Sequence, residues 1–575
     1  MDGAVPAPAL RPPRPGGRMP FARSRRVRRV RHPLATAAAA LIAAIVLAPV
    51  VTLGAIAVGG SGADWPHLLA NVVPAATWTT ISLLFLVAAG SASIGVTAAW
   101  LIVAYDFPFR RTLAWALVLP LAVPPYLAAY AFAEFFHFTG PVQSALRGLF
   151  GYATPRDYWF PDIRSTGGAA VVMSAVLYPY VYLTTRVVFI MQGRNISDVA
   201  RTLGARPLTV LWRVLLPVAR PAIAAGIALV LMETMNDIGA SEYLGVRTLT
   251  YAVYTTWLNR GSLEGAAQIA MLMLVLIFAL LMAEQWARRR QKFHVGRGNQ
   301  LGARPPRTRL SGVAGMAASV AVLLPVLVGF GIPLYVFGGY ALPRLSQLFE
   351  PALATAFMNS LITALAAALV TVTTALVILN AARIARAGPV LVLARASTVG
   401  YALPGTILAL GLLFVLAGID NRIDGFARSQ LGFSTGLILT GSASAVVIAC
   451  AIRFLALAEG AVRSGMEKLP PHLGEAARSL GRTETRTIFA VLLPVLRPAI
   501  LIALVLVFVD TAKELSATIL LRPFGFNTLA TFVYENASRG AIEDGAMAAL
   551  LIIVTAMIPV IILSGALMRD RDASI

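Results

Sequence analysis

Apolar and polar positions along this chain fall into long blocks rather than short periods. Uncharged runs of about 20 residues recur from end to end, enough for a helix to cross a hydrocarbon core of about 30 Å. The blocks predict twelve spans. Six lie at 34–58, 77–104, 112–133, 167–191, 221–243 and 265–286, and six at 312–337, 353–380, 393–418, 433–456, 498–520 and 545–568. A backbone in lipid must satisfy its own hydrogen bonds, so it is helical or a closed barrel. Continuous apolar runs lack the in–out alternation of a barrel. The expected fold is therefore an all-α polytopic membrane protein.

The polar blocks repeat. Residues 198–223 read DVARTLGARPLTVLWRVLLPVARPAI, and residues 475–500 read EAARSLGRTETRTIFAVLLPVLRPAI, with 13 identities at an offset of 277. The offset continues to pair Glu233 with Asp510 and Asp237 with Glu514; further on it becomes 280, pairing Tyr254 with Tyr534 and Gly265 with Gly545. Each half is one copy of a six-span unit. An even number of spans per copy gives both halves one orientation, as parallel repeats about an axis normal to the membrane. The expected units are a first repeat at 34–286 and a second at 312–568, joined by a linker at 287–311.

Composition agrees. The chain of 575 residues is 58% hydrophobic and only 13% charged, against about 25% charged in soluble proteins. The net charge of +22 comes almost wholly from Arg, since Lys occurs only at 292, 468 and 513. Excess positive charge can signal nucleic acid, but here the Arg residues cluster in particular loops, as the positive-inside rule demands. Nine Arg in residues 1–33, eight Lys/Arg in 287–310 and the basic loops RNISDVARTLGAR and RIARAG mark one side as cytosolic. Both termini, including the tail 569–575, are expected there. The Pro/Gly-rich arm 1–33 reads as disordered, held against anionic lipid by its charge. The run after it is long and lacks a clear cleavage site, so it reads as a retained first span rather than a signal peptide. The single cysteine, Cys450, lies in an apolar run and reads as a buried structural thiol.

Local chemistry divides each repeated segment. Ser197 is placed to cap a short helix from Asp198, Gly204 to end it in the left-handed conformation, and Pro207 to open a second helix reaching the Leu216-Pro217 break. The expected product is a helix–turn–helix on the cytosolic face, too polar to span. An amphipathic connector resting on the membrane is the plain reading, and duplication at matched places argues for more.

These segments resemble the EAA loop of ABC importer permeases: Glu-Ala-Ala, a glycine three residues on, then an apolar-Leu-Pro stretch. The second copy carries Glu475, Ala476, Ala477, Gly481, Leu493 and Pro494; the first carries Asp198, Val199, Ala200, Gly204, Leu216 and Pro217. Asp198 and Val199 are mild departures. The resemblance implies that each loop docks on a cytosolic ATPase subunit, one per half. None of the three Lys follows a Gly, so the chain lacks a phosphate-cradling G-x-x-x-x-G-K-[ST] loop. No cofactor is expected on this chain; ATP would be used by separate subunits.

Three further stretches, ETMNDIGASEYLGVRTLTYAVYTTW (233–257), YALPGTILALGLLF (401–414) and DTAKELSATILLRPFGFNTLATFVY (510–534), resemble the fused twelve-span ferric-iron permeases of bacterial inner membranes. Ser516 departs from the Pro that often follows Lys-Glu-Leu in that group. The resemblance implies ferric iron delivered by a periplasmic solute-binding protein. Related permeases for thiamine, polyamines or other solutes share the scaffold, so fold kinship leaves cargo open. A proton-coupled secondary transporter is the alternative of a different class.

Glu233, Asp237, Asp510, Lys513 and Glu514 are ionisable groups near the outer ends of the fifth and eleventh spans. Such groups at membrane depth usually face a cavity or a partner. Spacing of four puts Glu233 with Asp237, and Asp510 with Glu514, on shared helix faces. Lining a cation path is one reading; helix-end capping and local pairing, such as Asp510–Lys513, is the other. The five His are scattered and match no metal spacing, and no nucleophile–base constellation suggests an enzyme. Pro120, Pro124 and Pro125 in the third span and Pro404 in the ninth are expected to interrupt helices; at corresponding places this points to a path or gate, with simple packing kinks as the other reading. The eight Trp all fall in the first half, several near span ends where Trp anchors at the interface.

Overall fold

The computed structural model describes residues 33–60, 62, 64–202, 207–289, 307–385, 388–467, 469, 479, 481 and 483–569, with the backbone alone at 192–202, 287–289, 385, 484–485 and 562–569. The arm 1–32, most of the linker and residues 570–575 lie outside this set.

Among the described residues the candidate crossings follow the predicted order. Eleven are helices long and apolar enough to span: Pro33–Gly59, Asp64–Ala104, Thr166–Met191, Pro207–Asn236, Leu263–Trp286, Gly312–Phe349, Pro351–Ile384, Gly405–Gln430, Ser444–Glu467, Ile488–Ala512 and Ile542–Ile561. The third crossing is a broken pair, Arg110–Ala122 and Pro125–Phe150, bent by 97°. Many side chains on the outer helix faces are large, apolar and exposed, such as Trp78, Phe85 and Val313. Lipid is the medium that such a surface requires.

The breaks sit where proline chemistry puts them. Val123 and Leu403 are extended (φ −99°, ψ 110° and φ −83°, ψ 125°), and each is followed by an extended proline, Pro124 or Pro404. Proline excludes its predecessor from the helical region and offers no N–H to continue the ladder. Leu119–Ala122 and Val399–Ala402 form matching 3₁₀ turns just before the breaks, at the offset of 280.

The repeat extends to hydrogen bonds. Helices Leu249–Leu258 and Leu529–Ser538 are both N-capped by threonine, Thr248 and Thr528. The Leu249 N–H donates to Thr80 Oγ1 at 2.9 Å, and the Leu529 N–H donates to Ser360 Oγ at 2.7 Å. Both members of these two bonds are 280 apart. The offset is therefore 280 before and after the repeated loops and 277 through them; it returns to 280 between Asp237/Glu514 and Thr248/Thr528.

The first helix of each half packs on the sixth crossing of its own half and also reaches onto the other half. Pro33–Gly59 packs on the eighth and ninth crossings, so closely that a methyl group at Gly411 would collide with the Pro49 carbonyl. Gly312–Phe349 packs on the first half: a methyl group at Gly329 would meet the Ala175 carbonyl, and Ser319 Oγ donates to Pro108 O at 2.9 Å. The end of the linker is clasped as well, with Thr308–Arg309 pairing in parallel with Tyr105–Asp106 and the Leu310 N–H donating to Asp106 O at 2.8 Å. Buried clusters consequently mix both halves; Val46 and Leu53 share one with Leu403, Leu412 and Cys450.

Candidate functional site

The fifth and eleventh crossings stop short of their expected ends. Leu216–Asn236 ends because Asp237 leaves the helical region (φ −81°, ψ 102°), and its side chain accepts the Ala240 N–H at 2.7 Å to cap Ile238–Tyr243. Leu493–Ala512 ends at Lys513; Glu514 then accepts the N–H groups of Ala517 (2.9 Å) and Thr518 (3.0 Å) and the Thr518 hydroxyl (2.8 Å). Asp237 and Glu514, 277 apart, thus do the same work. The expectation that 233/237 and 510/514 share helix faces is corrected: the second acid of each pair lies beyond its helix. A carboxylate that satisfies the free N–H groups of a new helix favours a break over continuation.

These two helix ends meet the two proline breaks around a cavity of about 80 Å³, room for a small ion and a few waters. Its wall includes Tyr126 beyond the first break, Tyr180, Glu233, Asn236 and Asp237, then Tyr401 before the second break, Arg453, Asp510, Lys513, Glu514 and Ser516. All five ionisable residues singled out in the sequence come to this one place, two from the first half and three from the second. Arg453 Nη1 lies 2.9 Å from Glu514 Oε1, with both side chains nearly buried. Lys513 Nζ lies 2.9 Å from Asp510 Oδ1, so this expected local pair is present. Glu233 has no ion pair within 4 Å among the described residues. Four carboxylates and two basic groups line the cavity.

Sequence reasoning missed Arg453 and Asn236. Arg453 had a signal, a lone charge in VVIACAIRFLALA; its counterpart 277 positions earlier is Val176, so the repeat pattern did not mark it. Asn236 had none. Its side-chain oxygen accepts the Gly405 N–H at 2.7 Å, and its backbone carbonyl accepts the Ser516 hydroxyl at 2.8 Å. One residue of the first half is thereby tied to two segments of the second. Ser516, the departure noted in the sequence, supplies one of these ties.

The repeated loops are placed differently from expectation. The fourth crossing continues as one helix, Thr166–Thr202, so Ser197 caps nothing and Asp198 and Ala200 lie on its last turns; their side chains are not described. No proline at 192–198 removes an N–H, so the helix propagates. Gly204, Glu475, Ala476 and Ala477 lie outside the described residues. Gly481 is left-handed, φ 76°, as expected of a helix-ending glycine. No break occurs at Pro217 or Pro494. Instead π-turns at Leu211–Leu215 and Ile488–Leu492 lead straight into Leu216 and Leu493. The wider turn accommodates the missing proline N–H, and the helix opened by Pro207 becomes part of the crossing.

Comparison with known proteins follows this architecture. The family model for the inner membrane component of binding-protein-dependent transport systems matches twice, at residues 91–292 and 389–571. The Fe(3+)-transport system permease protein FbpB 2 of Haemophilus influenzae is 23% identical over 491 residues, covering 84% of this chain and 88% of that one. The molybdenum transport system permease protein ModB of Escherichia coli is 27% identical over 216 residues, 36% of this chain and 90% of its own. A putative 2-aminoethylphosphonate transport system permease protein, PhnU of Salmonella typhimurium, is 27% identical over 205 residues, 35% and 70% respectively.

Proposed function

Because the chain belongs to the inner membrane components of binding-protein-dependent transport systems and carries that domain twice, we propose that it forms both halves of the pathway of an ATP-driven importer for ferric iron. Two cytosolic ATPase subunits dock on the loops around Asp198–Gly204 and Glu475–Gly481. A periplasmic binding protein delivers the cargo to the opposite face, and both termini lie in the cytosol, in keeping with the basic arm and linker. The chain binds no cofactor of its own.

The acidic cavity between the halves carries the cargo reading. Four carboxylates against two basic groups attract a cation and repel an oxyanion, which separates this chain from the relatives named for molybdenum and phosphonate. Hard cations prefer carboxylate and hydroxyl oxygen, and Tyr126, Tyr180 and Tyr401 add hydroxyls to the wall.

Coupling follows from continuity. Pro207–Asn236 is one rod of 30 residues from loop to cavity, roughly 45 Å at helical rise. Ile488–Ala512 is its counterpart. A push on the loops therefore moves Glu233 and Asn236 in one half and Asp510 in the other, which changes the side from which the cavity opens.

The test is uptake of radiolabelled ferric iron, molybdate and sulfate by cells expressing the chain with its ATPase and binding protein. Ferric uptake that falls when Glu233→Gln is introduced supports the reading. Uptake of an oxyanion instead, or iron uptake driven by a proton gradient without any ATPase, overturns it. Glu475→Arg and Gly481→Pro are expected to insert normally yet uncouple uptake from ATP hydrolysis; normal ATP-driven uptake in both removes the docking role.

A further inference from the structure

Tyr254 and Tyr534 stand 280 positions apart, at equivalent places in the two copies, and their hydroxyls are neighbours. Two equivalent residues in contact must straddle the pseudo-two-fold axis. The Tyr534 hydroxyl donates to Glu242 Oε2 at 2.7 Å. A phenol has one proton, so Tyr534 commits its own to Glu242, and Tyr254 closes over the pair from the side. The result is a strap running from the first half to the second and back: Glu242, Tyr534, Tyr254. Its acid is single, because the residue 280 positions after Glu242 is Arg522, which is engaged by Glu535 and Asn527.

The strap has a defined place over the cavity. Tyr254 lies on Leu249–Leu258 and Tyr534 on Leu529–Ser538. Each helix follows the segment that leaves the cavity and ends at the turn into the next crossing. Both therefore lie on the side away from the repeated loops. A stack of rings joins the two levels: buried Tyr130 meets the cavity-lining Tyr126 edge-on at 6.0 Å and meets Tyr243, next to Glu242, at 4.6 Å.

We propose that Glu242, Tyr254 and Tyr534 are the outer gate of the transport path, closed in this structure, and that the cargo reaches the cavity only when the strap parts. The proposal rests on reading the cavity as part of the path. Its chemistry suits a cationic cargo. Closed, the three half-buried groups face one another; parted, they present a carboxylate and two phenol oxygens, hard donors that replace the water a cation loses on entry. An apolar seal would offer such a cargo nothing.

Cys450, the chain's one cysteine, is buried, so a cysteine placed at Ser516 in the cavity wall is a clean reporter. The experiment measures reaction of Ser516→Cys with a membrane-impermeant maleimide applied to the outer face of intact cells or spheroplasts. Labelling is expected to be slow in that background. It should rise about tenfold when Tyr254→Phe and Tyr534→Phe are added, or Glu242→Met alone, the shift that losing about one net hydrogen bond produces. Equal rates in variants that assemble and insert normally overturn the gate. Glu242→Met, of similar length but with no oxygen to accept the Tyr534 hydroxyl, keeps the test decisive if the double tyrosine variant fails to assemble. A thiol at 516 that stays unreactive even in opened membranes, with reagent on both faces, instead removes the cavity from the path and the gate with it.

Discussion

Asn236 and Gly405 are joined by a 2.7 Å hydrogen bond from the Gly405 N–H to the Asn236 side-chain oxygen. The bond ties the end of the fifth crossing to the first residue after the Pro404 break. Gly405 needs that acceptor because, opening a new helix, its N–H has no partner four residues back. Two interruptions, one in each half, are thus made to satisfy each other across the interface.

Asn236→Leu removes the acceptor while filling similar space. An unsatisfied buried N–H costs about 1–3 kcal/mol. The expected outcome is a lower unfolding temperature of the detergent-purified chain, with reduced uptake at unchanged expression. Scanning thermal unfolding beside an uptake assay checks both; wild-type stability would show that the bond carries no load.

The Arg453–Glu514 pair gives a second prediction. Removing one partner of a nearly buried pair leaves an uncompensated charge, at a cost of about 3–5 kcal/mol. Arg453→Met and Glu514→Gln should each destabilise strongly. Glu514→Gln is the milder, since its amide oxygen still accepts from Ala517 and Thr518. Arg453→Met combined with Glu514→Gln should regain much of the loss. Chemical denaturation of the single and double variants measures the coupling, and additive effects would contradict it.

Gly329 tests the packing across the halves. A side chain there must push the seventh crossing off the fourth, and overpacking of this kind costs about 1–3 kcal/mol. Gly329→Val should lower thermal stability far more than Gly339→Val, where an added carbon meets nothing within 4 Å.

Because each first helix also reaches onto the other half, two fragments ending at 300 and starting at 301 should associate when co-expressed. Affinity purification through a tag on one should retain the other. Deleting residues 34–58 from the first fragment should weaken that retention, since the cover over the eighth and ninth crossings is lost. Equal retention would mean that the remaining interface suffices.

Much of the site was legible before any coordinates. Glu233, Asp237, Asp510, Lys513 and Glu514 stood out as charges in apolar runs, and the repeat paired them. Helix-end capping was one of the two readings open for Asp237 and Glu514, and the structure bears it out; the shared helix faces are not borne out, because helical spacing assumes a helix that this capping ends. Arg453 was passed over because its counterpart is Val176. Asn236 was invisible, because nothing local marks an amide whose two partners lie at 405 and 516. The continuous helix through Ser197 went the other way: a residue type that favours caps sits in the interior of Thr166–Thr202, where no proline interrupts the backbone ladder around it.

By itself the sequence determined the membrane solvent, the number and order of the crossings, the internal duplication and the proline breaks. Each follows from local composition: run length against bilayer thickness, a fixed offset between like segments, and a missing N–H. Tertiary structure alone decided which helices reach across the halves, that two helix ends and two breaks enclose one cavity, and that Tyr254, Tyr534 and Glu242 meet above it. Those facts depend on contacts between residues hundreds of positions apart. Such contacts are chosen by the packing of whole helices around a pseudo-two-fold axis, and no local pattern of side chains records them.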